Sequence, residues 1–206
     1  MSALFNCNNY TTALDIYCSM VNGKEDVNED DGNASTEYGK ELEPLLISIV
    51  KANFKDKFVV KPFKKYAFYR KLSNPICVAS LDGTMVDINT KEKWILEIKT
   101  HDVRSNVDLA EWDNHLPQNY FIQCLSYLNV LNDFVGAYLV GKLRWVDYDT
   151  GLVIKEEIRY YKLERKDYEK DIELLNKVAK DFDENHLKKR IPPKVDIEIM
   201  GKEVSE

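Results

Sequence analysis

From residue 94 to residue 100, Trp94, Leu96 and Ile98 recur at every second position, with Glu97 and Lys99 between them. Successive side chains of a strand point to opposite faces. This spacing therefore predicts a strand with one buried face and with Glu97 and Lys99 together on the other. A shorter strand carrying Asp82 and ending at Asp87 precedes it across a polar turn, and Gly83 beside Asp82 predicts a kink or a close backbone approach. Further strands, rich in Val, Phe and Tyr or in alternating Ile and charge, are predicted over 58–72, 134–145 and 152–163, with a turn at 147–151.

Elsewhere the period is helical. Leu14, Tyr17 and Cys18 predict a first helix, with Thr11 or Thr12 as its cap. Leu42, Leu45, Leu46, Ile49 and Val50 predict a second helix from 36 to about 53, its regular part starting near Glu41 because Pro44 is tolerated only in a first turn. Phe121, Leu125, Leu128 and Leu131 predict a third over 120–132. Residues 164–190 read as a charged amphipathic helix with Tyr168, Ile172, Leu175, Val178, Ala179 and Phe182 inward. Residues 22–36 are acidic and aperiodic, as in an exposed mobile loop; 101–115 read as a polar stretch, and 191–206 as a tail. The order predicts one α/β domain over 1–190, with a mixed sheet flanked by helices on both faces.

Composition narrows the function. The chain has 206 residues, 44% hydrophobic, with a formal net charge of -6. That charge argues against bulk electrostatic attachment to nucleic acid and leaves room for a local basic groove. Cys7, Cys18, Cys77 and Cys124 form no CxxC pair, so reduced core thiols are expected rather than a zinc or iron–sulfur site. With no secretory signal and no membrane-length apolar run, an intracellular protein with no membrane association is expected.

Asp82 and Glu97 on neighbouring strands, with the Ile98 carbonyl between Glu97 and Lys99, are oxygen donors of the kind a hard divalent cation takes. A lysine beside them suits phosphodiester hydrolysis, whereas a solvated hairpin with a Glu–Lys pair is the plain alternative. Glu43 is either a helix N-terminal charge or a third carboxylate for the same cation. Gln123 and Tyr127, four apart on one helix face, are either a structural pair or an orienting one. Lys61, Lys64, Lys65 and Arg70 are interleaved with Phe63, Tyr66 and Tyr69, and Arg104 follows in the polar stretch. They suit a DNA-facing surface or an ordinary solvated one.

Taken in order, these pieces resemble the PD-(D/E)xK nuclease superfamily, and within it the YqaJ-type viral recombinase branch that contains phage lambda exonuclease. Gly39-Lys-Glu-Leu-Glu43-Pro44 resembles that branch's Gly-x-x-x-Glu-Pro helix start. Ser80-Leu81-Asp82-Gly83 resembles its acidic strand, with Leu81 where many members have Pro. Pro117-x-x-Tyr120-x-x-Gln123 resembles its Pro-x-x-Tyr-x-x-Gln helix, and Ser2-Ala-Leu-Phe5 with Tyr10–Tyr17 resembles its N-terminal helices. The resemblance spans roughly 2–185.

The resemblance implies a restriction-endonuclease-like core and a Mg²⁺- or Mn²⁺-dependent exonuclease that digests linear duplex DNA, often 5′ to 3′, in recombination. One or two ions would be held by Asp82, Glu97, Ile98 and Glu43. Lys99 would activate or position water, with Gln123 touching the nucleophile or Lys99 and Tyr127 bracing the helix. It also implies a trimeric ring around DNA, a single-strand annealing partner, and a location in a bacterial host's cytoplasm or in the nucleus or cytoplasm of an infected cell. Many members carry an Arg and a Gly-Ser or Ala-Ser element upstream of the Ala-Leu-Phe segment. This sequence starts inside that segment, so 5′-phosphate recognition through those residues is not expected. A structure-selective or single-strand nuclease, or an inactive binding relative, is the alternative.

Overall fold

The strand pair that carries Asp82 and Glu97 lies at the middle of a five-stranded sheet. The computed structural model describes residues 1–7, 11–22, 34–64, 66–113, 115–147 and 149–194; Lys65, most of the acidic segment and the tail beyond 194 lie outside these. The strands are β1 (Phe58–Pro62), β2 (Tyr69–Arg70), β3 (Val78–Ala79), β4 (Gly83–Asp87), β5 (Lys93–Val103), β6 (Phe134–Val146) and β7 (Val153–Glu164). The main sheet has the order β1-β4-β5-β6-β7, while β2 and β3 pair separately. β5 and β6 are parallel and the other pairs antiparallel, so the sheet is mixed. A tight turn closes the β4–β5 hairpin, with Asp87 Oδ1 accepting from the Asn89 and Thr90 amides.

The helices are α1 (Ala13–Asn22), α2 (Ala34–Asn53), α3 (Asn106–Ala110), α4 (Gln118–Val130) and α5 (Glu169–Phe182). Thr12 and Asp15 cap α1 reciprocally: Thr12 Oγ1 accepts from the Asp15 amide at 3.2 Å, and the Asp15 carboxylate accepts from the Thr12 amide at 2.8 Å. Alternation along β5 sorts the helices. Trp94, Leu96 and Ile98 join Met85, Tyr138 and Val140 under α2, which contributes Leu46, Ile47 and Val50. Ile95, Leu139 and Leu143 face the opposite way, under Leu125 and Leu128 of α4 and Ile172 and Leu175 of α5. Fully burying such a side chain stabilises by about 1.5–3 kcal/mol. Helices therefore cover both faces, as the pattern predicts.

Four expectations change. α2 begins at Ala34, so Pro44 lies well inside it; residue 22 and residues 34–36 of the expected loop are helical, and 23–33 lie outside the described residues. Pro44 sits on the exposed side of α2, where water can satisfy the carbonyl one turn back. Leu45, expected in the buried stripe, is 55% exposed, while Ile47 is buried in its place. The stretch expected to be polar and irregular is half structured, because β5 runs on to Val103 and Ser105 caps α3 by accepting from the Asp108 amide at 3.1 Å. The last helix is α5 alone: Glu164 ends β7, and a π turn (Asp183–Leu187) follows Phe182.

Trp112, in the same stretch, is only 1% exposed, and its indole lies against Gly141 of β6. A Cβ at Gly141 would sit 2.6 Å from that ring. Gly141→Ala is expected to lower unfolding free energy by about 1–3 kcal/mol through overpacking, measured by urea melts; an unchanged midpoint would contradict this packing.

Candidate active site

Glu97 and Lys99 project from β5 toward α4, on the face opposite Trp94, Leu96 and Ile98. Glu97 is 1% exposed. One carboxylate oxygen, Oε1, accepts from Lys99 Nζ at 2.7 Å and from Gln123 Nε2 at 2.9 Å. Gln123 Nε2 also lies 2.7 Å from the Tyr127 hydroxyl, so the i, i+4 pair of α4 anchors one end of the carboxylate. The other oxygen, Oε2, is buried without a hydrogen-bond partner among the described residues. A buried carboxylate oxygen left in that state is costly.

Asp82 stands at the entry to β4, where the β4–β5 ladder stops at the Gly83–Leu96 pair. Its Oδ2 accepts from the Ile98 amide at 2.6 Å. A residue's N–H and C=O leave a strand on the same side, so the Ile98 carbonyl faces Asp82 too. Gly83 permits the close approach expected of it, since a Cβ there would lie 3.0 Å from the Lys61 carbonyl oxygen.

Glu43 arrives from the other face of the sheet, on α2. Two contacts dock that end of the helix. A Cβ at Gly39 would sit 3.1 Å from Thr100 Oγ1 on β5. The Arg144 guanidinium lies 3.7 Å from the Tyr38 ring centroid, and its Nε donates to Asp102 Oδ1 at 2.7 Å. Glu43 is near enough to add to the field on Glu97.

The basic candidates divide. Lys61, Lys64 and Arg70 are exposed on the segment beside Asp82. The Phe63 amide donates to the Asp82 carbonyl at 3.0 Å, and Ser80 Oγ donates to the Ala67 carbonyl at 3.2 Å. Arg70 lies over the exposed Phe68 ring at 5.5 Å. Arg104 is not brought to this group. It follows the far end of β5, 3.9 Å from Asp102. Lys65 falls outside the described residues.

Two neighbours are absent from the sequence-based set. The Lys99 ammonium lies 5.4 Å from the Tyr120 ring centroid, and His101 follows Lys99 on the same face of β5. Both signals were in the chain, as the period-two series 97, 99, 101 and the spacing Tyr120, Gln123, Tyr127 on one helix face. His101 has a buried Nε2 without a partner among the described residues.

Electrostatics follow the burial. Desolvation raises the Glu97 carboxyl to about 7; Lys99 opposes the rise, while Asp82 and Glu43 add to it. Asp82 is raised as well, chiefly by burial. Burial would lower Lys99, yet the Glu97 and Asp82 charges outweigh it and hold the ammonium above its usual range. Tyr127 is raised by burial and by Glu97, which keeps its hydroxyl protonated.

No three His, Cys, Asp or Glu side chains among the described residues are gathered closely enough to hold a cation by themselves. Two carboxylates, a strand carbonyl and the unpartnered Glu97 Oε2 nevertheless suit an oxygen-seeking divalent ion. Without metal, the folded Glu97 value of about 7 lies above its ordinary 4.5, so its contribution to stability is full below 4.5 and disappears as pH rises to 7. With chelator present, Glu97→Gln should gain on the wild type by about 3 kcal/mol between those limits, measured by urea melts across pH. A pH-independent difference would contradict the burial of this charge.

A solved structure supports the architecture. An alkaline exonuclease from Laribacter hongkongensis aligns with a TM-score of 0.61 at 16% identity, covering 92% of this chain and 87% of that one. The same enzyme in complex with dAMP aligns with a TM-score of 0.57, at the same identity and coverage. At such identity the likeness concerns the fold, an α/β unit built on a five-stranded mixed sheet. Comparison with curated protein sequences finds no match. Among the described residues no helix is long and apolar enough to cross a membrane. The sequence model of the YqaJ-like viral recombinase domain matches residues 1–134, which include Glu43, Asp82, Glu97, Lys99, Gln123 and Tyr127, and the chain belongs to that family.

Proposed function

We propose that this protein is a metal-dependent deoxyribonuclease that hydrolyses linear duplex DNA from its ends. One observation carries the reading. Glu97 is buried next to Asp82, with one oxygen held by Lys99 and Gln123 and the other without a partner among the described residues. A fold that only needed a salt bridge has no use for that second oxygen, whereas a cation-holding site does.

In this reading Asp82, Glu97 and the Ile98 carbonyl hold Mg²⁺ or Mn²⁺, with Glu43 supporting the same ion or a second one. Such an ion polarises the scissile phosphate and makes water a stronger nucleophile. Lys99, whose ammonium the Glu97 and Asp82 charges favour, offsets phosphate charge and activates or positions the attacking water. Gln123 fixes the Glu97 carboxylate, and Tyr127 fixes Gln123. Exposed Lys61, Lys64 and Arg70, interleaved with Tyr66 and Phe68, offer charge and ring faces beside Asp82 for the DNA strand. Family membership and the fold shared with an alkaline exonuclease that binds dAMP support the substrate class. By the same resemblance we assign 5′ to 3′ digestion in recombination, a trimeric assembly around the duplex, and a single-strand annealing partner.

The exposed rings favour a second reading, a nuclease for unpaired strands on the same site. End-labelled linear duplex, with and without a 5′-phosphate, beside circular single-stranded DNA in Mg²⁺ separates the two. The first reading expects mononucleotides from linear duplex and intact circles, with Asp82→Asn and Lys99→Ala slowed at least about a hundredfold and Gln123→Ala about ten- to a hundredfold. Intact duplex with cut circles would replace the first reading by the second, and no cleavage of either would end both. Lys64→Ala should weaken DNA binding alike for all sequences and reduce the slope of log K against log salt by about one; an unchanged slope would place this surface away from DNA.

A further inference from the structure

Gln123 and Tyr120 of α4 both reach the charged pair on β5. Tyr120 stands one turn before Gln123 on the same helix face, and its ring centroid lies 5.4 Å from the Lys99 ammonium. A single helix face therefore lays a ring over Lys99 and an amide on Glu97. The start of that helix is pinned, since the Tyr120 and Phe121 amides both donate to the Pro117 carbonyl at 3.0 Å. The ring is steadied as well. It meets the buried Trp112 indole at 5.6 Å between centroids, and the Trp112 carbonyl accepts from the Tyr161 hydroxyl and from Arg159 Nη1 on β7.

A lysine at this position needs such a support. Its ammonium is a point charge on a flexible four-carbon stem, with three donors to place. Glu97 Oε1 places one of them, at 2.7 Å. In the nuclease reading Glu97 also turns its charge to a cation, and its ion pair with Lys99 weakens just when Lys99 has to face phosphate and water. A ring face attracts the ammonium without drawing on the Glu97 charge. That attraction acts within about 6 Å of the ring centroid and grows as the cation is withdrawn from water. The Lys99 side chain is only 22% exposed. A side chain that merely filled the gap between α4 and β5 would need volume and no π face.

We infer that Tyr120 is a positioning residue, whose ring face holds the Lys99 ammonium in place beside Glu97 through a cation–π contact. The role rests on the nuclease reading, but its test begins without DNA. The full chain is labelled with ¹³C at the lysine ε carbons and kept free of metal, and the Lys99 ε-methylene signal is assigned by its loss in Lys99→Arg. A ring face shifts the proton signal of a group above it upfield. Tyr120→Phe keeps that face and should leave the signal in place. Tyr120→Leu and Tyr120→Met keep apolar volume and suit a helix, and either one that melts as a folded protein should show the signal moved downfield. On linear duplex DNA in Mg²⁺ the ringless variant should lose about tenfold in kcat at unchanged KM, and Tyr120→Phe should stay within about twofold of wild type. An unmoved signal in the ringless variant, an unchanged kcat, a loss confined to KM, or an equal loss in Tyr120→Phe would overturn the role. A signal that follows the ring in a protein that cuts no DNA would defeat the nuclease reading and uphold the hold of Tyr120 on Lys99.

Discussion

A single buried carboxylate organises this molecule. Glu97 sits between a five-stranded sheet and α4, away from water, and burying an ion costs several kcal/mol unless other groups repay it. Lys99 supplies the opposite charge from the same strand face, and Gln123 supplies a donor from the helix above. Those two partners serve one oxygen. The hydrophobic set behind them, Trp94, Leu96 and Ile98 under α2, holds the strand that carries the carboxylate. Its other oxygen has no partner among the described residues, a desolvation cost of the kind found at functional sites.

The topology explains how acidic groups from three elements approach one another. β5 is central, with β4 antiparallel on one side and β6 parallel on the other. The β4–β5 ladder ends early, which leaves the Ile98 amide to bind Asp82 instead of a strand partner. α2 crosses the opposite face, and its near end is tied to β5 and β6 by the Gly39–Thr100 approach and the Tyr38–Arg144–Asp102 contacts. Glu43 is thereby carried toward a site formed on the other side of the sheet.

Much of this was legible in the chain because period-two and period-four spacings translate directly into faces. The Glu97–Lys99 pair, its apolar backing, and the Gln123–Tyr127 pair all follow from spacing alone. What escaped depends on long-range packing. Pro44 pointed to a late helix start, but its solvent-facing position tolerates the missing amide. Leu45 belonged to an apolar cluster by composition, yet it falls off the stripe that meets the sheet. His101 and Asp102 read as loop residues by polarity, whereas strand pairing with β6 and the Arg144 contact keep them in β5. Trp112 gave no local sign that its ring would occupy the space over Gly141. Lys61 and Arg104 were grouped by charge, and the length of β5 separates them.

We propose that Glu97 is held buried for a cation. The direct measurement is the thermal midpoint of wild type and Glu97→Gln as Mn²⁺ is titrated into the chelator-treated protein at neutral pH. A ligand that binds only the folded state raises the midpoint with its concentration. A cation held by Glu97 gives a rise for wild type that is lost in Glu97→Gln. An equal rise in both proteins would show that the ion binds elsewhere and that Glu97 is no more than one half of a buried salt bridge.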